Sequence, residues 1–320
     1  TENFEVSNKI KLFNSNDVKL TRGRRFIPSL WADVFLTPTS EVADIMQANC
    51  VKVIFMHSLM GIAGIYEEDT FDGYDYVFCS GKHHVEEFSR LYSNKRLRNK
   101  CLIPGGYTKL DSQIALADAD KADTRSKCVI VAPTLLAKNT EEISFLSHGV
   151  EFISKLLSME FKVILRPHPL NLQRADEYFH VVESLVEKFS KHSSFELDDG
   201  KDYSKSYSES SMMISDISGT AYTYAFAYCK PVLFFKPKKT SIFNQGLLFE
   251  QRDGLGEEFE SESELEKIAS EMYLNHHYYE SRIADVRSKF IFNVGSAADY
   301  FSDNLEHIIT GRKNNEWKYL

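Results

Sequence analysis

Cysteine is scarce in this sequence: the five residues, at 50, 79, 101, 128 and 229, show no paired metal-ligand spacing. Several lie inside apolar runs such as DYVFCS and KCVIVAP, so they read as small buried hydrophobes of a reducing compartment. Long hydrophobic runs are also missing. No stretch approaches the ~20 apolar residues that span a bilayer, and no signal-peptide pattern opens the chain, which points to a cytoplasmic protein. Positive charge is in deficit, with 38 Lys plus Arg against 46 Asp plus Glu and a formal net charge of -8. That excludes a mainly electrostatic nucleic-acid binder while leaving room for a local basic site. Neither a GxGxxG loop nor a Walker loop occurs, which disfavours dinucleotide oxidoreductases and P-loop kinases. The chain begins with Thr1 rather than Met, as expected for a processed protein or a piece of a longer one, so anchoring segments outside it stay open.

At 320 residues, with 43% hydrophobic and 26% charged, the chain has material for two cores. Short apolar strands alternate with longer amphipathic segments, a rhythm that predicts βαβ units and parallel sheets. In the first half the strand candidates are residues 32–37, 51–57, 74–80 and 100–106, with helices at 39–49 and 82–93. Residues 112–126 form a polar, Ala- and Asp-rich interval, taken as the end of a helix plus a linker at 118–126. Strands are then expected at 127–134, 161–169, 194–199, 211–216 and 230–235, with helices at 140–158, 173–191 and 219–228. The result is two successive doubly wound α/β lobes, 1–117 and 127–295, followed by 296–320. A Ser-x-x-Glu capping box opens a helix near residue 261. The closing TGRKNNEWKYL reads as a solvated, frayed end, with contact to an anionic membrane surface as the alternative.

Two loops carry chemistry. The strand ending at Leu165 runs into Arg166-Pro167-His168-Pro169, a cation and an imidazole stiffened between prolines where open parallel sheets bind ligands. The other reading is a surface turn whose His caps something local. The strand ending at Ile214 is followed by Ser215, Asp216, Ser218, Gly219 and Thr220, then a small-residue helix and Lys230-Pro231. Hydroxyls, free N–H groups and a Gly at a helix start make an anion site, in which Asp216 either takes part or caps the helix.

Together these motifs resemble the CDP-glycerol glycerophosphotransferase family of teichoic-acid and capsule polymerases. The likeness also runs through VIFMHSLMG, YDYVFCSGKHHVEEF, PGGYTKLD and VIVAPT, covering roughly residues 50–240. It implies a GT-B fold, with 127–295 as the nucleotide-donor lobe and a last helix, 296–310, crossing back to the first lobe. The implied activity moves a glycerol- or polyol-phosphate unit from a cytidine-linked donor to a saccharide or polyol-phosphate acceptor, lipid-linked at the inner face of the membrane. The chain departs from the family pattern at Ser58, where Gly is usual, at Tyr222 and Tyr224, and in the basic KPKKTSIFNQG after the last strand. A GT-B glycosyltransferase using a CMP- or UDP-sugar therefore stays open as an alternative, and so does a sugar-nucleotide 2-epimerase, which needs carboxylates in the cleft. A non-catalytic polysaccharide-binding module is disfavoured, because it has no use for an anion-binding helix start.

In that arrangement Arg166 and His168 neutralise the leaving group, and His57 is the candidate base across the cleft, the other reading being a His bonded within a βα turn. Asp111 is the next candidate base. Ser58, Gly106, Asp111 and Thr134 are candidate substrate contacts. No metal and no cofactor are expected. Asp118-Ala119-Asp120 reads as solvated charge, and the pairs His83-His84 and His276-His277 as helix-surface residues.

Overall fold

The computed structural model describes residues 32–40, 50–62, 66–119, 126–200, 202–236 and 246–320. Most of the expected helix at 39–49 and of the linker at 118–126 lies outside them.

The first sheet contains β1 (Val34–Thr37), β2 (Val51–Phe55), β3 (Tyr76–Cys79) and β4 (Cys101–Pro104), all parallel and in sequence order. Successive side chains alternate faces. Ile54, Val77 and Leu102 enter one core with Phe71, Phe88 and Tyr92. Val53, Phe78 and Ile103 enter the other. Helix α1 (Lys82–Asn94) covers the first face, and α2 (Thr108–Ala119) follows β4.

The second sheet contains β5 (Cys128–Val131), β6 (Lys162–Leu165), β7 (Phe195–Leu197), β8 (Met212–Ser215), β9 (Val232–Phe235) and β10 (Gly256–Phe259). Its spatial order is β10-β9-β8-β5-β6-β7, all parallel. That is the doubly wound order in which the strand sequence reverses between β5 and β8, the place where such sheets bind ligands. Residues of β5, β8 and β9 are buried throughout, as strands covered on both faces require. The connecting helices are α3 (Gly149–Ser158), α4 (Phe179–Phe189), α5 (Ser204–Glu209), α6 (Thr220–Tyr228) and α7 (Arg252–Leu255).

Two helix starts differ from the expectation for physical reasons, and a third agrees with it. Residues 140–158 do not form one helix: Ser144 caps a 3-10 turn at Phe145–His148, and α3 begins only at Gly149. Residues 173–191 begin as α4 at Phe179, because Pro169 starts a separate 3-10 turn and the Asp176 carboxylate accepts the Tyr178 N–H. At 261 the N-cap half of the box forms: Ser261 Oγ accepts the Glu264 N–H and starts α8 (Glu262–Leu274), while the Glu264 carboxylate accepts the N–H of Glu260, one residue before the cap.

After α9 (His276–Phe290), α10 (Ala297–Thr310) packs against the first sheet, with Ile308 and Trp317 buried beside Val53, Phe78 and Ile103. The end of the chain is not frayed. Trp317 donates its indole N–H to Tyr300 at 3.2 Å, and β11 (Lys318–Tyr319) adds to β4 as an antiparallel edge. One of the two tail aromatics is thus spent on the core. Among the described residues no helix is long and apolar enough to cross a membrane.

Helix α6 packs on both sides, against its own sheet and against α2 of the other lobe. Alanines at 221, 225 and 227 let these elements approach, which explains a helix apolar around its whole circumference.

Candidate active site

The loops that leave β5, β6 and β8 meet those that leave β2 and β4 around a cavity of about 300 Å³. From the second lobe it is lined by Ala132, Pro133, Arg166, His168, Tyr203, Ser218, Gly219 and Thr220, and from the first by His57, Ser58, Tyr107 and Lys109. Among the described lining residues there is no Asp or Glu. The cavity therefore presents cations, hydroxyls and a helix start, a surface that receives an anion. It offers no oxygen cage of the sort that holds a hard divalent metal.

No side chain caps the start of α6, whose N-cap is Gly219. A Cβ there would sit 2.8 Å from Met60 Cγ and 3.0 Å from Ser58 Oγ, so glycine is what permits the first-lobe loop to close over this helix start. Thr220 bonds Tyr207, and Ser218 also faces the cavity.

The Arg166 guanidinium lies 2.8 Å from Asp198 Oδ1, yet the Nη1–H groups are not aligned on that oxygen. The pair is held by charge, and Nη1 keeps its donor capacity for another acceptor. Asp198 is itself occupied by the Gly200 N–H and the Ser206 hydroxyl. His168 caps the 3-10 turn by accepting the Leu170 N–H at Nδ1, 3.2 Å away. A neutral His168 therefore carries its proton on Nε2. Burial lowers its pKa against the opposing pull of Asp176, which favours that neutral form. Of the two readings of the RPHP loop, the local cap is real, and the same geometry leaves the other ring nitrogen free to donate.

Two residues expected to bind phosphate are engaged elsewhere. Ser215 is fully buried and donates to the Ala132 carbonyl at 2.7 Å, tying β8 to the end of β5. Asp216 is also fully buried and neither caps α6 nor reaches the cavity. Its carboxylate accepts the N–H groups of Thr134 (2.8 Å), Ile217 (2.7 Å) and Phe145 (2.9 Å). Burial pushes its carboxyl above the usual range in spite of those donors. Asp216 is thus the organiser of the switch-point loops, and it explains why 140–148 is drawn out of helical geometry. Thr134 contributes its backbone to this knot and does not line the cavity.

On the first lobe, His57 is exposed toward the cleft, with Nε2 3.3 Å from the Tyr66 hydroxyl, and its carbonyl accepts the Tyr107 hydroxyl at 2.7 Å. Asp111 and Gly106 do not line the cavity. Both Asp111 oxygens cap the C-terminal helix, accepting the Gly295 N–H (2.7 Å) and the Ala297 N–H (2.9 Å). Gly106, at φ +98°, lies where a Cβ would meet the Phe292 carbonyl at 2.6 Å. These two serve the return of the chain to the first lobe, which removes Asp111 as an alternative base. His83 and His84 are completely buried rather than on the helix surface. His84 accepts the Ser80 N–H at 3.3 Å and donates to the Met60 carbonyl at 2.7 Å, and burial lowers its pKa to about 4.

Tyr66, Lys109, Tyr203 and Arg252 carry no sequence signal. Arg252, 4% exposed, donates to the Asp216 carbonyl and lies between the Phe234 and Phe249 rings, 4.3 and 4.0 Å from their centroids. Lys230 was marked by its Lys-Pro motif. Its ammonium is buried among the carbonyls of Tyr207, Ser208 and Ser210 at 2.6 to 3.1 Å. Tyr222 and Tyr224 are core residues, and most of the basic KPKKTSIFNQG segment lies outside the described residues.

The sequence profile of the family described as CDP-Glycerol:Poly(glycerophosphate) glycerophosphotransferase matches residues 66–306. The chain belongs to this family. It is a transferase, and its fold is GT-B. The wall teichoic acid polymerase TagF superposes with a TM-score of 0.54 at 15% identity, over 83% of this chain and 70% of that one. A putative UDP-N-acetylglucosamine 2-epimerase from Listeria monocytogenes reaches 0.59 at 13% identity, over 92% and 78% of the two chains. The UDP-GlcNAc 2-epimerase of Methanocaldococcus jannaschii reaches 0.56 at 12%, over 89% and 78%. No curated protein sequence matches this chain.

Proposed function

We propose that the cleft binds CDP-glycerol and transfers its glycerol phosphate unit to an acceptor hydroxyl presented from the first lobe. The observation that carries this reading is the cavity itself: cations, hydroxyls and an uncapped helix start at the switch point, with no acidic lining among the described residues. The diphosphate lies over Ser218, Gly219 and Thr220, where the helix dipole and free N–H groups favour negative charge. Arg166 and the Nε2–H of His168 hold the phosphate that leaves with CMP.

His57 is the base. In the tautomer that serves as base, Nε2–H donates to the Tyr66 hydroxyl 3.3 Å away and the Nδ1 lone pair is left for the acceptor hydroxyl. The acceptor oxygen forms a bond to the distal phosphorus, and the bond from that phosphorus to the bridging oxygen breaks. Its electron pair departs on CMP, and the acceptor proton goes to His57. Positioning and electrostatics supply the catalysis, as in other phosphoryl transfers. We further propose that the charge is neutralised by the protein's own cations without a divalent metal. The acceptor is a polyol-phosphate or saccharide hydroxyl, lipid-linked at the membrane surface.

A thermal-shift panel tests this reading, since a ligand that binds only the folded protein raises Tm, by about 2.7 kcal/mol of stability at 100-fold excess over Kd. CMP and CDP are expected to raise Tm more than UDP or GDP, and the rise is expected to survive a chelator. Loss of the shift on chelation overturns the metal-free part. A larger shift with UDP or GDP overturns the cytidine donor.

A further inference from the structure

Lys109 stands at the second position of α2, in the first turn of a helix, where the macrodipole disfavours a cation. The acidic residue of that turn, Asp111, has both oxygens committed to the start of α10. Among the described residues the Lys109 ammonium has no carboxylate partner; it lies over the Tyr203 ring of the opposite lobe, 5.5 Å from the centroid. The same ring lies 5.0 Å from the Arg166 guanidinium. Tyr203 thus serves as a common apolar surface for two cations, one from each lobe, at the edge of the cavity that both line.

The two cations differ in what they have left to offer. Arg166 is already paired with Asp198 and is mostly buried, with 13% of its side chain exposed. Lys109 is exposed and uncompensated. A residue placed against its local electrostatics, with no local compensation, is what a functional constraint leaves behind. The acceptor enters from the first lobe, so a first-lobe cation faces the phosphoryl group being transferred rather than the one that departs with the nucleotide.

We propose that Lys109 is a catalytic residue whose ammonium contacts the non-bridging oxygens of the transferred phosphoryl group, forming the acceptor-side jaw of a charge clamp whose donor-side jaw is Arg166. The inference rests on the donor reading given above. Lys109 remains protonated throughout. It neither gives nor takes a proton while the acceptor oxygen bonds to phosphorus and CMP leaves, and its contribution is charge at the place where the transition state needs it. The Tyr203 ring, 5.5 Å from the ammonium, places it at the edge of the cavity before substrate arrives, which limits the reorganisation needed during reaction.

The test uses the full chain, with CMP and CDP-glycerol as ligands and CMP release in the presence of a soluble glycerol-phosphate acceptor as the rate. Lys109→Met is expected to lower kcat/KM by roughly 10²- to 10³-fold, the usual worth of one preorganised charge donor. Affinity for CMP, which lacks the transferred group, stays at the parent value, and Lys109→Arg recovers part of the rate. Unchanged kcat/KM in Lys109→Met overturns the proposal, as does a loss of CMP affinity equal to the loss in rate. The parent protein reports separately on the donor reading: if it releases no CMP from CDP-glycerol, that reading falls and this inference falls with it. A variant that matches an active parent overturns Lys109 alone.

Discussion

Replacing His57 with Ala lowers turnover by roughly 10²- to 10⁴-fold, the range expected when a positioned proton acceptor is removed, while CMP affinity stays nearly constant. The separation follows from the geometry. His57 stands on the first lobe, and the groups that would hold the nucleotide stand on the second. The variant keeps its loop, because Tyr107 is bonded to the His57 backbone carbonyl and not to the ring. Its Tm is therefore expected to match the parent, since the side chain is exposed and buries little surface. Steady-state kinetics with calorimetric titration of CMP decide the matter. A variant that loses CMP binding in step with activity makes His57 a donor contact, and one that melts early makes it a structural bonder.

Arg166→Ala carries the second large effect, and it acts twice. A hydrogen bond to a charged group contributes about 1.5–3 kcal/mol, so CMP affinity should fall by roughly 10- to 150-fold. The same change leaves Asp198, with 9% of its side chain exposed, without its cation, and breaking a buried pair from one side costs about 3–5 kcal/mol. Tm should fall as well. The double variant Arg166→Ala with Asp198→Asn separates the two, since it removes the stranded charge. Its Tm is expected to recover while CMP affinity stays low. Recovery of affinity with stability would reduce Arg166 to a structural role. Lys at 166 is not an adequate substitute, because an ammonium cannot present a planar pair of donors over Tyr203.

The parts of this molecule legible in its sequence are those decided by local burial. The strand candidates at 51–57, 127–134 and 211–216 are each wider than the observed strands, but each contains one, because a run of apolar residues ends at a polar or glycine-rich loop. What was illegible depends on distant partners. Residues 140–148 carry a helical pattern, yet the Asp216 carboxylate, 71 positions away, takes the Phe145 N–H and leaves a 3-10 turn. The strand Gly256–Phe259 holds two glutamates, whose partners Lys236 and Tyr279 come from other elements, so no apolar alternation announces it. The same distinction runs through the site. His57, Arg166, His168 and the Ser218–Thr220 loop stand out in the sequence because strand-end loops of parallel sheets are where ligands bind, and in the fold they line one cavity. Asp216 and Ser215 were placed with them by adjacency in sequence, although their side chains turn inward to join β5 and β8. Lys109 and Tyr203 belong to opposite lobes and become neighbours only when the lobes meet.

Release of CMP from CDP-glycerol, followed in parallel with release of UDP from UDP-N-acetylglucosamine, tests the central claim most directly. The account predicts CMP release that depends on a hydroxyl acceptor, stays intact in the presence of a chelator, and is lost in His57→Ala, with no consumption of the UDP-sugar. Turnover of the UDP-sugar in preference to CDP-glycerol, or CMP release undiminished in His57→Ala, would contradict it.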